Sequence, residues 1–279
     1  MKLSRYRLFC IASAFLFLAA GCMRKGIDRV EWPAMGTIAA VQVRGRAVES
    51  GRFVESVRSW FAEVADALNA HVPTSELSRL AKLSEAEALE KCAVRMRPCY
   101  EAAFALSKAS GGAFNPRWKG TGTLDFGAIA KGFAVDLAAN GEGVEGDALI
   151  DLGGNVKSVR GNWRTGVRDP NGDGFAAYVE LREGESLATS ATYYRGGHIF
   201  DGRTGCVVSN GVASVTVLCD SAMWADGLST TLFVLGPIAG RAFLDNKLPE
   251  LLGDCRVSVL WIMSDGARTE YGNARFQGN

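Results

Sequence analysis

The chain has 279 residues, 48% of them hydrophobic, and a formal net charge of +1 from 31 Lys and Arg against 30 Asp and Glu. That near balance leaves no electrostatic footprint for nucleic acid and favours a small or modestly charged partner. No segment is low-complexity, no Pro/Ser linker or internal repeat is visible, and the length suits one large domain or two small ones.

Residues 1–21 carry Lys2, Arg5 and Arg7, an apolar run over 8–20, and then Gly21 ahead of Cys22. This is the pattern of a bacterial export signal, too short for a spanning helix. Leu18-Ala19-Ala20-Gly21-Cys22 resembles a lipobox, with Ala19 where Leu is preferred. It implies cleavage before Cys22 and a diacylglycerol on its thiol; an ordinary cleaved secretory signal or an uncleaved anchor is the alternative. Either route puts residues 22–279, read as one functional domain, on the extracytoplasmic (periplasmic) face. The anchor would hold it to the inner or outer membrane, and Met23 after the lipidated position favours the outer one by analogy with lipoprotein sorting.

Of seven cysteines, Cys10 and Cys22 fall in the leader region, leaving Cys92, Cys99, Cys206, Cys219 and Cys255 in a compartment that permits disulfides. Cys92 and Cys99 flank a loop short enough for one bridge, which geometry must decide. Zinc is a weak reading, because no CxxC occurs and the histidines are His71 and His198 alone.

In chain order, residues 36–43 alternate as a strand, and 50–70 form an amphipathic helix with a stripe of Phe53, Val54, Val57, Trp60, Phe61, Val64 and Leu68. A short helix is predicted from Ser75, and another from Pro98 to a stop at Gly111-Gly112. A helix over 128–139 follows Asp125-Phe126-Gly127. Strands over 148–152, 156–160 and 164–167 are separated by Gly-Gly-Asn and Gly-Asn turns, which predict antiparallel hairpins. Further strands are predicted at 177–181, 186–190, 197–200 and 213–218. A helix over 222–235 is capped by Ser221 and stopped at Gly236-Pro237, and a hairpin of 256–263 with 268–276 turns at 264–266. Helices and antiparallel strands without regular βαβ alternation predict an α+β fold. A Rossmann fold is disfavoured, since no GxGxxG opens a helix after a strand.

Three places carry chemistry. Residues 125–132 (DFGAIAKG) put a carboxylate, a helix start and Lys131 within one short stretch. Free N–H groups, the positive end of a helix and an ammonium suit a phosphate. The alternative is a turn glycine followed by a solvated lysine. Asp226 and Thr230 lie four apart on one helix face with Ser229 beside them, an oxygen set for a hard cation such as Mg²⁺. The alternative there is an ordinary polar edge. His198 precedes a turn at Asp201-Gly202; an isolated histidine is more often structural, and Asp201 reads as a turn residue. No GxSxG elbow is present, and nothing nominates a glycosidase pair of carboxylates.

The order of these segments resembles one family, the FAD:protein FMN transferases of the ApbE type. The matching stretches are Met35-Gly36-Thr37, 75–80 (SELSRL), 112–116 (GAFNP), 124–136 (LDFGAIAKGFAVD), 148–155 (ALIDLGGN), 163–170, 187–190, 198–205 and 214–236. The resemblance implies an α+β, T-fold-like architecture with Mg²⁺ on Asp226 and Thr230, Ser229 adjacent, and the backbone carbonyl of Ala128 completing the protein's share. It places FAD against Met35, Ala113, Phe114, Asn115, Asp125, Lys131 and Ile199. His71 stands where many members put a tyrosine against the flavin, and His198 matches the family's proposed base. The implied reaction moves the FMN half of FAD onto a Thr or Ser hydroxyl of an exported acceptor, an electron-transfer or ion-pumping subunit, and releases AMP. An FAD pyrophosphatase and a non-catalytic FAD-binding lipoprotein are the alternatives. Asn115 and Asn155 stand where the family commonly has Asp, and Gly202 where it has Pro, which would loosen that turn; the stretches 115–124 and 190–198 are shorter than usual.

Overall fold

In the computed structural model, which describes residues 27–44, 47–141, 143–144, 146–192, 199–273 and 275–278, the chain opens on a hairpin. The leader, Cys22 and His198 lie outside the described residues. β1 (Ile27–Ala34) pairs with β2 (Thr37–Arg44) across Met35 and Gly36, whose φ values of 46° and 72° are both left-handed. That turn geometry matches the twist of paired strands. Only β2 is predicted from sequence. β1 lies at the sheet edge, where Arg29, Glu31 and Pro33 are tolerated and mask its alternation.

α1 (Ala47–Ala67) buries the predicted stripe, with Phe53, Val57, Phe61 and Val64 all in the core. α2 (Glu76–Leu80) is capped by Ser75 as expected. α3 (Glu85–Lys91) is not predicted, although Ser84 and Glu87 form the capping box that announces it. α4 (Arg97–Ala109) starts with Pro98 in its first turn. Cys92 and Cys99 do not bridge. Cys92 closes α3, where its Sγ donates to the Leu89 carbonyl, and Cys99 is packed into the core from α4.

After α5 (Ala130–Ala139) come β3 (Asp147–Leu152) and β4 (Asn155–Arg160), the hairpin predicted about Gly153-Gly154. The second predicted hairpin does not form. β5 (Trp163–Arg168) leaves the sheet and pairs with β6 (Phe175–Leu181), because Trp163, Val167, Val179 and Leu181 bury against the sheet's outer face. β4 instead takes β7 (Ser186–Ala191) as its neighbour, followed by β8 (Val212–Cys219), β9 (Ser258–Met263) and β10 (Arg268–Tyr271). The antiparallel order is β1-β2-β3-β4-β7-β8-β9-β10. Of the strand predicted over 197–200, residues 197 and 198 lie outside the described residues, and Phe200 makes a single bridge to Val207 across a tight turn. The second strand of the C-terminal hairpin is shorter than predicted, ending at Tyr271.

Alternate residues of the central strands face opposite ways, as strand geometry requires. Ile150, Val217, Val259 and Trp261 join the helices in the main core, while Leu149, Leu218, Leu260 and Ile262 meet the β5–β6 hairpin. Helices lie on one face, a hairpin covers the other, and the fold is α+β.

α6 (Ala222–Leu252) begins where sequence predicts, with Ser221 Oγ accepting from Trp224 N–H. Asp136 reinforces this start from α5, since its carboxylate accepts from Ser221 Oγ (2.6 Å), Ala222 N–H (3.0 Å) and Met223 N–H (2.9 Å). A carboxylate over the open N–H groups of a helix start is favourable in both hydrogen bonding and dipole. The predicted stop at Gly236-Pro237 is a break, with Gly236 at φ 69°, and helix resumes over 237–252. Pro237 can donate nothing to the preceding turn. Asn210 Nδ2 therefore serves the Phe233 carbonyl (2.8 Å) and Val234 carbonyl (3.2 Å), and Trp261 Nε1 serves that of Leu232.

Candidate active site

α5 and the first half of α6 meet at Gly132. A Cβ there would lie 2.1 Å from the Ala222 carbonyl oxygen and 2.8 Å from Asp226 Cβ, so only glycine allows the approach. The contact changes the hydrogen bonding. Gly132 N–H donates to Asp226 Oδ2 at 3.0 Å, whereas Phe133 N–H keeps its helical bond to Ile129. The Ala128 carbonyl thus lacks the helical partner that Gly132 would supply, and it stands beside the Gly127 carbonyl that Lys131 Nζ grips at 3.0 Å. Lys131 Nζ also lies 3.4 Å from Asp226 Oδ2, with Asp226 buried.

One turn along α6, Ser229 and Thr230 present hydroxyls to Ser190 at the end of β7, at 2.8 and 3.0 Å. The Asp226 carboxylate, the Ser229 and Thr230 hydroxyls and the Ala128 carbonyl are all oxygen donors, and the Ser229 hydroxyl also donates to the Asp226 carbonyl at 2.9 Å. That chemistry suits a small hard cation that keeps waters and shares phosphate oxygens, and Lys131 supplies positive charge at the same place.

The loop before α5 is fixed by a second group. Asp125 accepts from Lys119 Nζ (2.8 Å) and Gly127 N–H (2.9 Å). Trp118 stacks on Phe200 with centroids 4.1 Å apart, and Lys119 Nζ sits over the Trp118 ring. Asn115 Nδ2 donates to the Gly202 carbonyl and Gly202 N–H donates to Ala113, which tie the 199–205 segment to the end of α4. Gly202 does not loosen its turn: a Cβ there would lie 2.4 Å from Asn115 Cβ, so its small size permits close packing. Arg203 pairs bidentately with Asp201, and the Asp201 carboxyl is held below the ordinary range by that guanidinium, consistent with a turn role.

A sequence model of the ApbE family matches residues 117–252, the stretch from this loop through α5 to the end of α6. This part of the chain is similar to the ApbE family. The chain is 31% identical over 172 residues to the FAD:protein FMN transferase of Vibrio cholerae, a match covering 55% of this chain and 49% of the relative. It is 41% identical over 159 residues to that of Rhodobacter capsulatus, covering 52% and 29%. The matched part thus spans about half or less of the curated relatives' length. The fold is similar to that of flavin transferase ApbE from Vibrio cholerae, with a TM-score of 0.71 at 22% identity over 90% of this chain and 98% of that one. It is also similar to the ApbE protein of Thermotoga maritima, with a TM-score of 0.70 at 22% identity over 88% and 96%. The ApbE-like α+β architecture expected from sequence is the one found.

Within the matched segment, Lys131 meets Asp226, and Ser229 and Thr230 follow one turn along the same helix against Ser190; Ala128 lies in the stretch just before α5. Asp125 stands at the entrance to α5, two residues before the Gly127 carbonyl that Lys131 holds. Ala113, Phe114 and Ile199 are buried side chains in the main core, so their backbone and the half-buried Asn115 are what a ligand could reach. Met35 lines a shallow groove at the tip of the first hairpin, and His71 is exposed on the α1–α2 connection with a local bond to Asn69. Among the described residues no hydrogen bond or ion pair joins Met35 or His71 to the Asp226 group. His198 lies outside the described residues. Gly132 and Ser190 are site residues that sequence reasoning does not nominate. A glycine inside a helical pattern signals close packing, but no local signal marks Ser190, whose role is set by a contact between β7 and α6.

Burial works upward on the Asp125 carboxyl, but Lys119 and the Gly127 N–H outweigh it and hold the group below the ordinary carboxylate range. The stability this adds is present above the unfolded value of about 4 and is lost as pH falls through the lowered folded value. Asp125→Asn should therefore reduce Tm at neutral pH, with variant and wild type converging as the pH falls through the lowered folded value. Thermal melts of both proteins across that range check it; an undiminished gap in acid would assign the effect to something other than the charge.

Proposed function

We propose that the chain is a magnesium-dependent FAD:protein FMN transferase, moving the FMN half of FAD onto a Thr or Ser hydroxyl of an exported acceptor protein and releasing AMP. The observation that carries this reading is the diverted Gly132 N–H, which joins the start of α5 to the Asp226 carboxylate one turn ahead of the Ser229 and Thr230 hydroxyls and leaves the Ala128 carbonyl without its helical partner. The match of residues 117–252 to the ApbE family model and the names of the relatives support it.

Asp226, Thr230, Ser229 and the Ala128 carbonyl would hold the metal, which when bound neutralises charge on the pyrophosphate and polarises the phosphorus under attack. Lys131 Nζ bonds the Gly127 carbonyl at 3.0 Å and lies 3.4 Å from Asp226 Oδ2. In this reading its ammonium supplies positive charge to the phosphate. The start of α5 adds the positive end of a helix. Asp125, fixed by Lys119 and Gly127, orients the nucleotide, and Met35 and the 113–115 backbone lie against it. His198 takes the proton from the attacking hydroxyl, a role that rests on the sequence resemblance. Anchoring through Cys22 would put the enzyme on the same side of the membrane as an exported electron-transfer or ion-pumping subunit.

The test is to incubate the purified protein with FAD, Mg²⁺ and a candidate acceptor, and to weigh the acceptor. Acceptor carrying the mass of FMN is the expected result, with AMP in equal amount. Free FMN and AMP beside unlabelled acceptor would make the protein a pyrophosphatase, and FAD recovered intact from the bound state would make it a flavin carrier.

A further inference from the structure

α5 meets α6 both inside the candidate site and one turn away from it. Gly132 and Asp136 are four apart on α5, as Ala222 and Asp226 are on α6, so successive turns of the two helices come into register. At one level Gly132 N–H donates to Asp226 Oδ2. At the other the Asp136 carboxylate accepts from Ser221 Oγ, Ala222 N–H and Met223 N–H, and Ser221 Oγ in turn accepts from Trp224 N–H. The open N–H groups of residues 222, 223 and 224 are thereby all bonded. Lys157 completes this second level from β4. Its Nζ lies 3.0 Å from Asp136 Oδ1, 2.8 Å from the Asp220 carbonyl, 3.0 Å from the Gly184 carbonyl and 3.1 Å from Ser186 Oγ, so its donors are fully engaged. The Lys157 and Asp136 side chains are 12% and 22% exposed, which leaves the pair far less screened than a surface ion pair.

We propose that Asp136, held by Lys157, is a positioning residue for the candidate metal site, a role that rests on the magnesium-dependent reading of that site. It fixes the first turn of α6 to α5 and to the sheet, so that Asp226, one turn on, arrives at Gly132. The Asp226 carboxylate is held there by a backbone N–H diverted from its own helix and by Lys131. Both contacts need α6 to enter at a fixed height along α5.

The Ser221 cap cannot do this alone. Its Oγ serves the Trp224 N–H, and without Asp136 the Ala222 and Met223 N–H groups and the Ser221 hydroxyl lose their acceptor. A helix end with unpaired donors frays, and the carboxylate one turn along follows it. Groups that orient a metal ligand from behind account for roughly 10–100-fold in metal affinity. A cap that served stability alone would behave otherwise: its loss would lower the folded fraction and scale the rate equally at every Mg²⁺ concentration.

The test compares Asp136→Ala with wild type, as full chains, in two readouts. Amide hydrogen exchange read by NMR without added Mg²⁺ should show Ala222 and Met223 exchanging faster, and with them Gly132, whose N–H is bonded to Asp226, by about tenfold or more. In AMP release from FAD, the half-saturating Mg²⁺ concentration should rise by about tenfold, with the rate at saturating Mg²⁺ largely restored. Lys157→Met, which keeps the buried stem and removes the ammonium, should move both readouts the same way by less, and it carries the test if Asp136→Ala does not fold. A Gly132 amide exchanging as in wild type, or an unchanged half-saturating Mg²⁺ concentration in the folded variant, would overturn the positioning role. If wild type itself releases no AMP, the transferase reading fails, while the Gly132 amide still decides whether Asp136 places Asp226.

Discussion

Asp226→Asn should cut Mg²⁺-dependent release of AMP from FAD by about 10²–10³-fold or more while the protein stays folded. The asparagine side chain keeps an oxygen where Asp226 Oδ2 accepts the Gly132 N–H at 3.0 Å, so the α5–α6 junction survives. What disappears is the negative charge, which both the cation and Lys131 Nζ need. Asp226→Ala goes further, leaving Lys131 without its ion pair and Gly132 N–H without an acceptor, and should add a stability loss of about 2–4 kcal/mol. AMP production against Mg²⁺ concentration, with a melt of each variant, separates the two effects. Undiminished metal-dependent turnover in Asp226→Asn would dismiss this carboxylate as a ligand.

Gly132→Ala is expected to damage stability and activity together. The added methyl would stand 2.1 Å from the Ala222 carbonyl oxygen and 2.6 Å from its carbon, both backbone atoms that cannot swing aside. The helices must part, at a cost of about 3 kcal/mol or more, which corresponds to a Tm drop of roughly 6–12 °C for a domain of this size. Parting also carries Asp226 away from Ala128, and a displacement near 1 Å in such a site can cost on the order of 10²-fold in rate. Melts and initial rates on the variant test this. A Tm and rate matching wild type would mean that the helices do not approach as closely as described.

Residues close in sequence are largely legible because their physics is local. The α1 stripe, the Ser75 and Ser221 caps and the β3–β4 turn follow from side-chain period, capping oxygens and glycine backbone freedom. β1 is missed because an edge strand carries charges and proline that a central strand would not. α6 is predicted too short because Gly236-Pro237 does break it, while the carbonyls freed there find Asn210 and Trp261, residues distant in sequence. The departure of β5 from the sheet is likewise decided by an outer apolar face that no local pattern announces.

The same division runs through the site. Sequence alone determined that Asp226, Ser229 and Thr230 share part of one helix and that Lys131 follows a helix start after Asp125, because helical spacing and turn chemistry are properties of short segments. Only the tertiary structure decided that the two groups are one site. Their union depends on two helices touching through Gly132, on Ser190 reaching from a strand, and on a backbone N–H choosing a side chain over its own helix. It also decided the cysteines that chain spacing offers for a bridge: Cys92 closes α3 with its thiol on the Leu89 carbonyl, and Cys99 packs into the core from α4, so the two stay apart.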